Sequence, residues 1–247
     1  MQKVEWWKDF FSGLAVDMWR LAIPAGQTAA EADFIQGQLS LAPPASLLDV
    51  PTGTGRLAIE LAYRGFTLSG VDISSDFLRD ARLGAHDRKV DVSWFQHDMR
   101  DLPWPGKFDG VVCFGNSFGY FDDRGNERFL RSALDVLKSG GRFVLDASSV
   151  AENVIPQIKD HTEMVVGDIR FIEDNRYDHE QGRLDTEYTF VRGDRTEKKF
   201  GSHRLYTYRE ISTLITRSGF RDIRTFGSIA GDPFKLGSPG LFITAQK

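Results

Sequence analysis

Gly53, Gly55 and Asp72 stand at spacings suited to holding a nucleoside-bearing ligand. Gly53-Thr54-Gly55-Arg56-Leu57-Ala58 matches G-x-G-x-x-A, and Asp72 follows Gly55 by 17 residues. Without Cβ atoms the two glycines let backbone and a helix N-terminus come close to a ligand, and an acid at that distance is placed for a ribose. Taken alone, the turn suits a nicotinamide or flavin enzyme. The match covers only the turn, and the rest of the chain is not arranged as a dehydrogenase. A second acid, Asp98, sits in His97-Asp98-Met99, and Asn116-Ser117-Phe118-Gly119-Tyr120-Phe121 follows a later apolar run. Near the end of the chain, His203 is the side chain best suited to general-base work, because imidazole titrates near neutrality. A histidine that merely bonds a neighbouring strand fits that position as well.

The elements that position these residues alternate. LLDV (47–50) reads as a strand, Leu57, Ala58, Leu61 and Ala62 repeat at helical spacing until Gly65, and LSGVD reads as a buried strand ending on Asp72. Ser74 or Ser75 caps a helix that Gly84 is expected to end, residues 90–96 form a third strand, and residues 110–114 a fourth. A helix is predicted over 126–138, stopped by Ser139-Gly140-Gly141 before the strand RFVLDAS. From about His161 to Tyr206 the pattern becomes polar–apolar alternation with turns at Gln181-Gly182 and Gly193-Asp194, an antiparallel meander inserted as a lid. Thr207 to Glu210 is a capping box, and residues 222–226 and 241–245 are two last strands too close in sequence for a parallel crossover. The expectation is an α/β, Rossmann-like, doubly wound seven-stranded sheet, parallel except for one strand. One domain spans 1–247: a helical arm (1–40), a ligand-binding core (41–150), the lid (155–206), and a closing helix and hairpin (207–247).

Composition narrows the class. No stretch approaches the ~18 consecutive apolar residues of a membrane span, and the N-terminus lacks the pattern of a signal peptide, so a cytoplasmic location is expected. The single cysteine, Cys113, forms no internal disulfide, and the few histidines make no zinc spacing, so no metal is expected. A net charge of -4 gives no footprint for a nucleic-acid backbone.

Asp49-Val50-Pro51-Thr52-Gly53-Thr54-Gly55, GVDIS, HDM and FDGVVCFGNSFGYF follow one another in an order that resembles the class I S-adenosylmethionine-dependent methyltransferases over roughly residues 30–247. Their first motif is commonly written D-x-G-x-G-x-G; here Pro51 replaces the first glycine. The resemblance implies S-adenosylmethionine as cofactor, with Asp72 accepting from both ribose hydroxyls, Asp98 receiving the adenine amino group and the Met99 amide meeting a ring nitrogen. Asp49, Pro51, Gly53 and Gly55 would follow the methionine portion, with Ile73 and Phe114 completing the surface. The arm, the lid and HRLYT (203–207) look like those of small-molecule methyltransferases.

Other side chains complete the expected site. Trp6, Trp7, Phe10, Phe11 and Trp19 suit packing on the sheet, or an aromatic cover over the cofactor. Arg20 offers a fork for the methionine carboxylate. Asn116, Phe118, Arg204 and Tyr206 are expected toward the acceptor, and Tyr120 and His203 toward the reaction. The expected activity is methyl transfer to nitrogen or oxygen of a small molecule, by a monomer or homodimer. The alternatives are an NAD(P)-dependent oxidoreductase and a non-catalytic protein that binds S-adenosylmethionine.

Overall fold

The computed structural model describes residues 5–24 and 26–247; the first four residues of the expected arm, and Ala25, lie outside the described residues. A seven-stranded sheet forms the centre. Its strands are β1 (Ser46–Asp49), β2 (Thr67–Asp72), β3 (Val92–Gln96), β4 (Phe108–Cys113), β5 (Leu137–Asp146), β10 (Arg221–Phe226) and β11 (Phe242–Gln246). They lie in the order β10-β11-β5-β4-β1-β2-β3, with β11 antiparallel to both of its neighbours and the other pairs parallel. That is the sheet the sequence predicts.

Alternation along the strands divides the core between two faces. Leu47, Val112 and Val144 pack with Phe34, Ile35 and Leu39 of α3 (Gln27–Leu39) and with Leu57 and Leu61 of α4 (Arg56–Tyr63). Their neighbours Leu48, Val111 and Leu145 pack with Phe129 and Leu130 of α6 (Asp123–Val136) and with Ile211 and Ile215 of α8 (Tyr208–Arg217). Consecutive residues on a strand point to opposite faces, and helices cover both sides of such a sheet.

Two helix boundaries differ from the sequence reading. Gly84 lies inside α5 (Ser75–Arg88), which starts at a Ser74 cap and ends where Lys89 turns left-handed. The sixth helix starts at Asp123, whose predecessor Asp122 accepts from the Gly125 amide, and it ends at Val136; Ser139-Gly140-Gly141 falls within β5. Both glycine signals predict helix stops; Ala81 and Ala85, buried one turn before and one residue after Gly84, hold that segment helical against a glycine's weak local preference, and at the second site Leu137 is already extended in β5.

The inserted meander is a separate four-stranded antiparallel sheet: β6 (His161–Val166), β7 (Ile169–Asp178), β8 (Arg183–Arg192) and β9 (Arg195–Arg204). It holds the N-terminal arm, which contains α1 (Trp7–Phe10) and α2 (Leu14–Ala22). Trp6, Phe10, Leu14 and Met18 share a small core with Ile169, Phe171 and Phe190. Glu197 of β9 accepts from the Leu14 amide at 2.9 Å, capping α2, and Lys199 donates to Asp9 O and Ser12 Oγ.

Candidate functional site

Successive connections leave β1 toward β2 on one side and lie beside β4 on the other, which makes a topological switch point at the carboxyl edge. An open cleft of about 1060 Å³, mouth included, lies there. Asp49, Pro51, Gly53, Asp72, Ile73, Asp98, Met99, Phe114, Trp19 and Tyr120, ten of the expected site residues, all line it.

The turn between β1 and α4 explains part of this. Asp72, buried at the end of β2, accepts from the Gly53 amide on Oδ2 and from the Ser74 amide on Oδ1, both at 2.8 Å. Burial raises its pKa to about 6, against the lowering effect of those two amides. Asp49, also buried, accepts from Thr52 Oγ1 at 2.6 Å, and burial raises it to about 7. A carboxylate has about four acceptor positions, so the two amides leave about two on Asp72 for donors from a ligand.

The two glycines have different jobs. Gly53, at φ 56°, has open space where a Cβ would stand. Gly55, at φ 76°, does not line the cleft: a Cβ there would come within 2.6 Å of the Trp94 ring and 2.8 Å of Ala81. It serves the packing of α4 on the sheet, which corrects its assignment to the ligand.

Asp98 carries its own counter-ion. Arg100 donates from Nε and Nη2 to its carboxylate at 2.9 and 2.5 Å, holding Asp98 below the usual carboxylate range despite partial burial. The same guanidinium lies 4.3 Å over the Phe121 ring.

The other expected site residues are elsewhere. Arg20 pairs with Asp17 and Asp80, tying α2 to α5, and does not reach the cleft. The cleft's arginine is Arg56, which follows Gly55 in the motif and pairs with the buried Glu31. Phe118 is buried against Phe129 and Tyr206. Tyr206 donates to Asp123 and accepts from Asn126, and Arg204 pairs with Asp123 and Glu210, so both fasten the return from the meander and neither faces the cleft. Asn116 uses its amide group on Ser149. His203 stands behind Tyr120, at 4.8 Å between ring centroids, with Nε2 3.4 Å from Asn116 O. A carbonyl only accepts, so Nε2 carries the proton, and burial lowers the ring's pKa to about 4. Burial pushes the Tyr120 phenol further up.

Trp7 and Phe11 of the arm's aromatic set, with Phe77, also line the cleft, whereas Trp6 and Phe10 pack against the meander. Asp146 escaped the sequence reading. Buried at the end of β5, it accepts from the Gly115 and Asn116 amides at 3.2 and 3.0 Å and fixes the loop after β4. Its signal was an acid ending a strand, as at Asp49 and Asp72.

Residues 47–141 match a family model described as a methyltransferase domain. A glycine/sarcosine N-methyltransferase of Parasynechococcus marenigrum is 37% identical over 134 residues, 53% of this chain and 48% of that protein. The chain spans about half the length of the curated relatives it matches. Among solved structures, an S-adenosylmethionine-dependent methyltransferase of Clostridium acetobutylicum superposes with a TM-score of 0.81 at 16% identity, over 94% of this chain and 96% of that one. CalS10, an amino pentose methyltransferase from Micromonospora echinaspora solved with bound S-adenosylmethionine, gives 0.71 at 18% identity, over 97% and 99%. The nicotinamide reading that the glycine turn alone allows gives way to this combination of domain match and fold. Residues 47–141 thus match a methyltransferase domain, and the chain as a whole has the fold of S-adenosylmethionine-dependent methyltransferases.

Proposed function

We propose that the cleft binds S-adenosylmethionine and that the protein methylates a nitrogen of a small-molecule amine. The observation that carries this reading is Asp72: a buried carboxylate beside a glycine turn, with acceptor positions left over after two backbone amides are bound. A vicinal diol offers two donors to such a group. The fit extends along the edge, where Asp98 and Met99 border the end of β3, while Asp49, Pro51 and Gly53 border the end of β1.

When bound, the cofactor supplies a methyl group made electrophilic by a sulfonium. The chain's own part is to hold and shield. Asp72 would hold the ribose, the turn at Gly53 would face the methionine portion, and Trp7, Phe11 and Trp19, which line the cleft, would keep water from the reacting methyl. Neither candidate base suits a hydroxyl acceptor: His203 is outside the cleft with a pKa of about 4, and the Tyr120 phenol holds its proton more tightly than a free one. An amine brings its own lone pair and needs mainly positioning. The N-methyltransferase relative and the amino-sugar structural neighbour support nitrogen as the acceptor atom.

The test is calorimetry with S-adenosylhomocysteine, S-adenosylmethionine, NAD and NADP, followed by release of S-adenosylhomocysteine over an amine panel. Binding of the two adenosyl compounds, weakened at least about tenfold by Asp72→Ala, is expected. Binding of NAD or NADP alone would overturn the reading. Turnover with hydroxyl acceptors and no amine would move the methyl group to oxygen.

A further inference from the structure

One wall of the cleft is an array of aromatic rings. Phe11 is at its centre, with ring centroids 5.2 Å from Phe77, 6.1 Å from Tyr120 and 6.5 Å from Trp19, and all four side chains line the cleft. They come from three places in the chain: the arm, α5 and the loop after β4. Ser74 Oγ donates to Phe11 O at 3.0 Å, which ties the array to the end of β2, two residues beyond Asp72. Aromatic faces carry negative potential, so they attract organic cations and disfavour anions.

The formal charges of the cleft act in the same sense. Arg56 is paired with Glu31, and Asp98 with Arg100. Asp49 and Asp72 are then the cleft carboxylates with no ion-pair partner among the described residues. With the proposed cofactor bound Asp72 would be taken by its ribose, but the rings still draw in an ammonium on the acceptor, whereas an acceptor carboxylate would face those rings and find the guanidiniums of Arg56 and Arg100 already engaged.

Resting on the proposed methyl transfer, we infer that the acceptor is recognised as an organic ammonium that bears no carboxylate, its amine carried on a neutral scaffold that lies against Phe11 and Tyr120. The ammonium gives its proton to water in the open mouth of the cleft before its nitrogen acts as a nucleophile.

The experiment uses protein saturated with S-adenosylhomocysteine and three probes that share one ring: cyclohexylammonium, cyclohexanol and cyclohexanecarboxylate. Tryptophan fluorescence reports their binding. Cyclohexylammonium should half-saturate at a concentration about tenfold or more below that of the carboxylate, with the alcohol between. Phe11→Leu should remove most of that preference, and Tyr120→Leu is the second variant if Phe11→Leu melts early. Equal or tighter binding of the carboxylate, or no binding of any probe, overturns the inference. A preference left intact by Phe11→Leu, while that variant erases a preference for S-adenosylmethionine over S-adenosylhomocysteine, gives the rings to the sulfonium and also overturns it. Failure of S-adenosylhomocysteine to bind shows before any probe is added, and it removes the parent reading along with this one.

Discussion

Asp72 couples ligand binding to pH. Its folded pKa of about 6 lies above the ~3.9 of a free aspartate, because burial disfavours the charge. The ribose needs an acceptor, so binding selects the ionised form and draws the pKa down. Affinity for S-adenosylhomocysteine should therefore weaken by roughly tenfold between pH 8 and pH 5, with proton release on binding near pH 6. Calorimetry in buffers of different ionisation enthalpy measures both, and a flat profile would contradict it. In the ligand-free protein the same shift has the opposite sign. Asp72 and Asp49, raised to about 6 and about 7, contribute stability that is full below about pH 4 and lost as pH rises through those values. His203, lowered to about 4, contributes stability that is full above about pH 6.5 and lost as pH falls through 4. Asp72→Asn should remove the pH dependence of affinity while leaving binding weak throughout. These acids were legible in the sequence because each ends a short apolar run, and strand ends collect on one edge. Their titration was not legible, since it depends on burial by distant segments.

At the scale of elements, the turn joining β1 to α4 makes a comparison possible between two glycines two residues apart. Gly53→Ala adds a Cβ into open space and suffers only its left-handed backbone, a cost of about 1 kcal/mol. Gly55→Ala adds the same strain and drives a methyl into the Trp94 ring and Ala81, which should bring the loss to about 2–4 kcal/mol in urea unfolding. Equal losses would show that Trp94 moves aside. The capping box at α8 is present as the sequence predicts, Thr207 accepting from the Glu210 amide and Glu210 from the Thr207 amide. Thr207→Ala should cost about 1 kcal/mol by the same measurement. Glycines 84 and 140 were less readable: a glycine ends a helix only when the next residues gain more by leaving it, and that gain lies in packing.

For the whole molecule, the contact that joins the two sheets is the decisive one. Arg183, buried at the start of β8, donates to Phe121 O at 2.8 Å, Tyr120 O at 3.2 Å, Ser202 Oγ at 2.8 Å and Ser202 O at 2.6 Å. Arg183→Met removes these donors, leaving Phe121 O only the Asn126 amide group, and should cost on the order of 3 kcal/mol. Hydrogen exchange should then rise in the meander and at residues 119–121 while β1, β2 and β4 stay protected; uniform loosening would mean that the two sheets unfold as one unit. By itself the sequence determined the order of strands and helices, the glycine turn and the acids after β1, β2 and β3, because all of these follow from spacing within a few turns of chain. Only the tertiary structure decided that Arg20, Phe118, Arg204, Tyr206 and His203 lie away from the cleft, and that Arg56, Phe11 and Phe77 line it. Those positions depend on how the meander and the arm pack on the sheet, and ion pairs with residues tens of positions away, such as Arg20 with Asp80 and Arg204 with Asp123, decide which way each side chain turns.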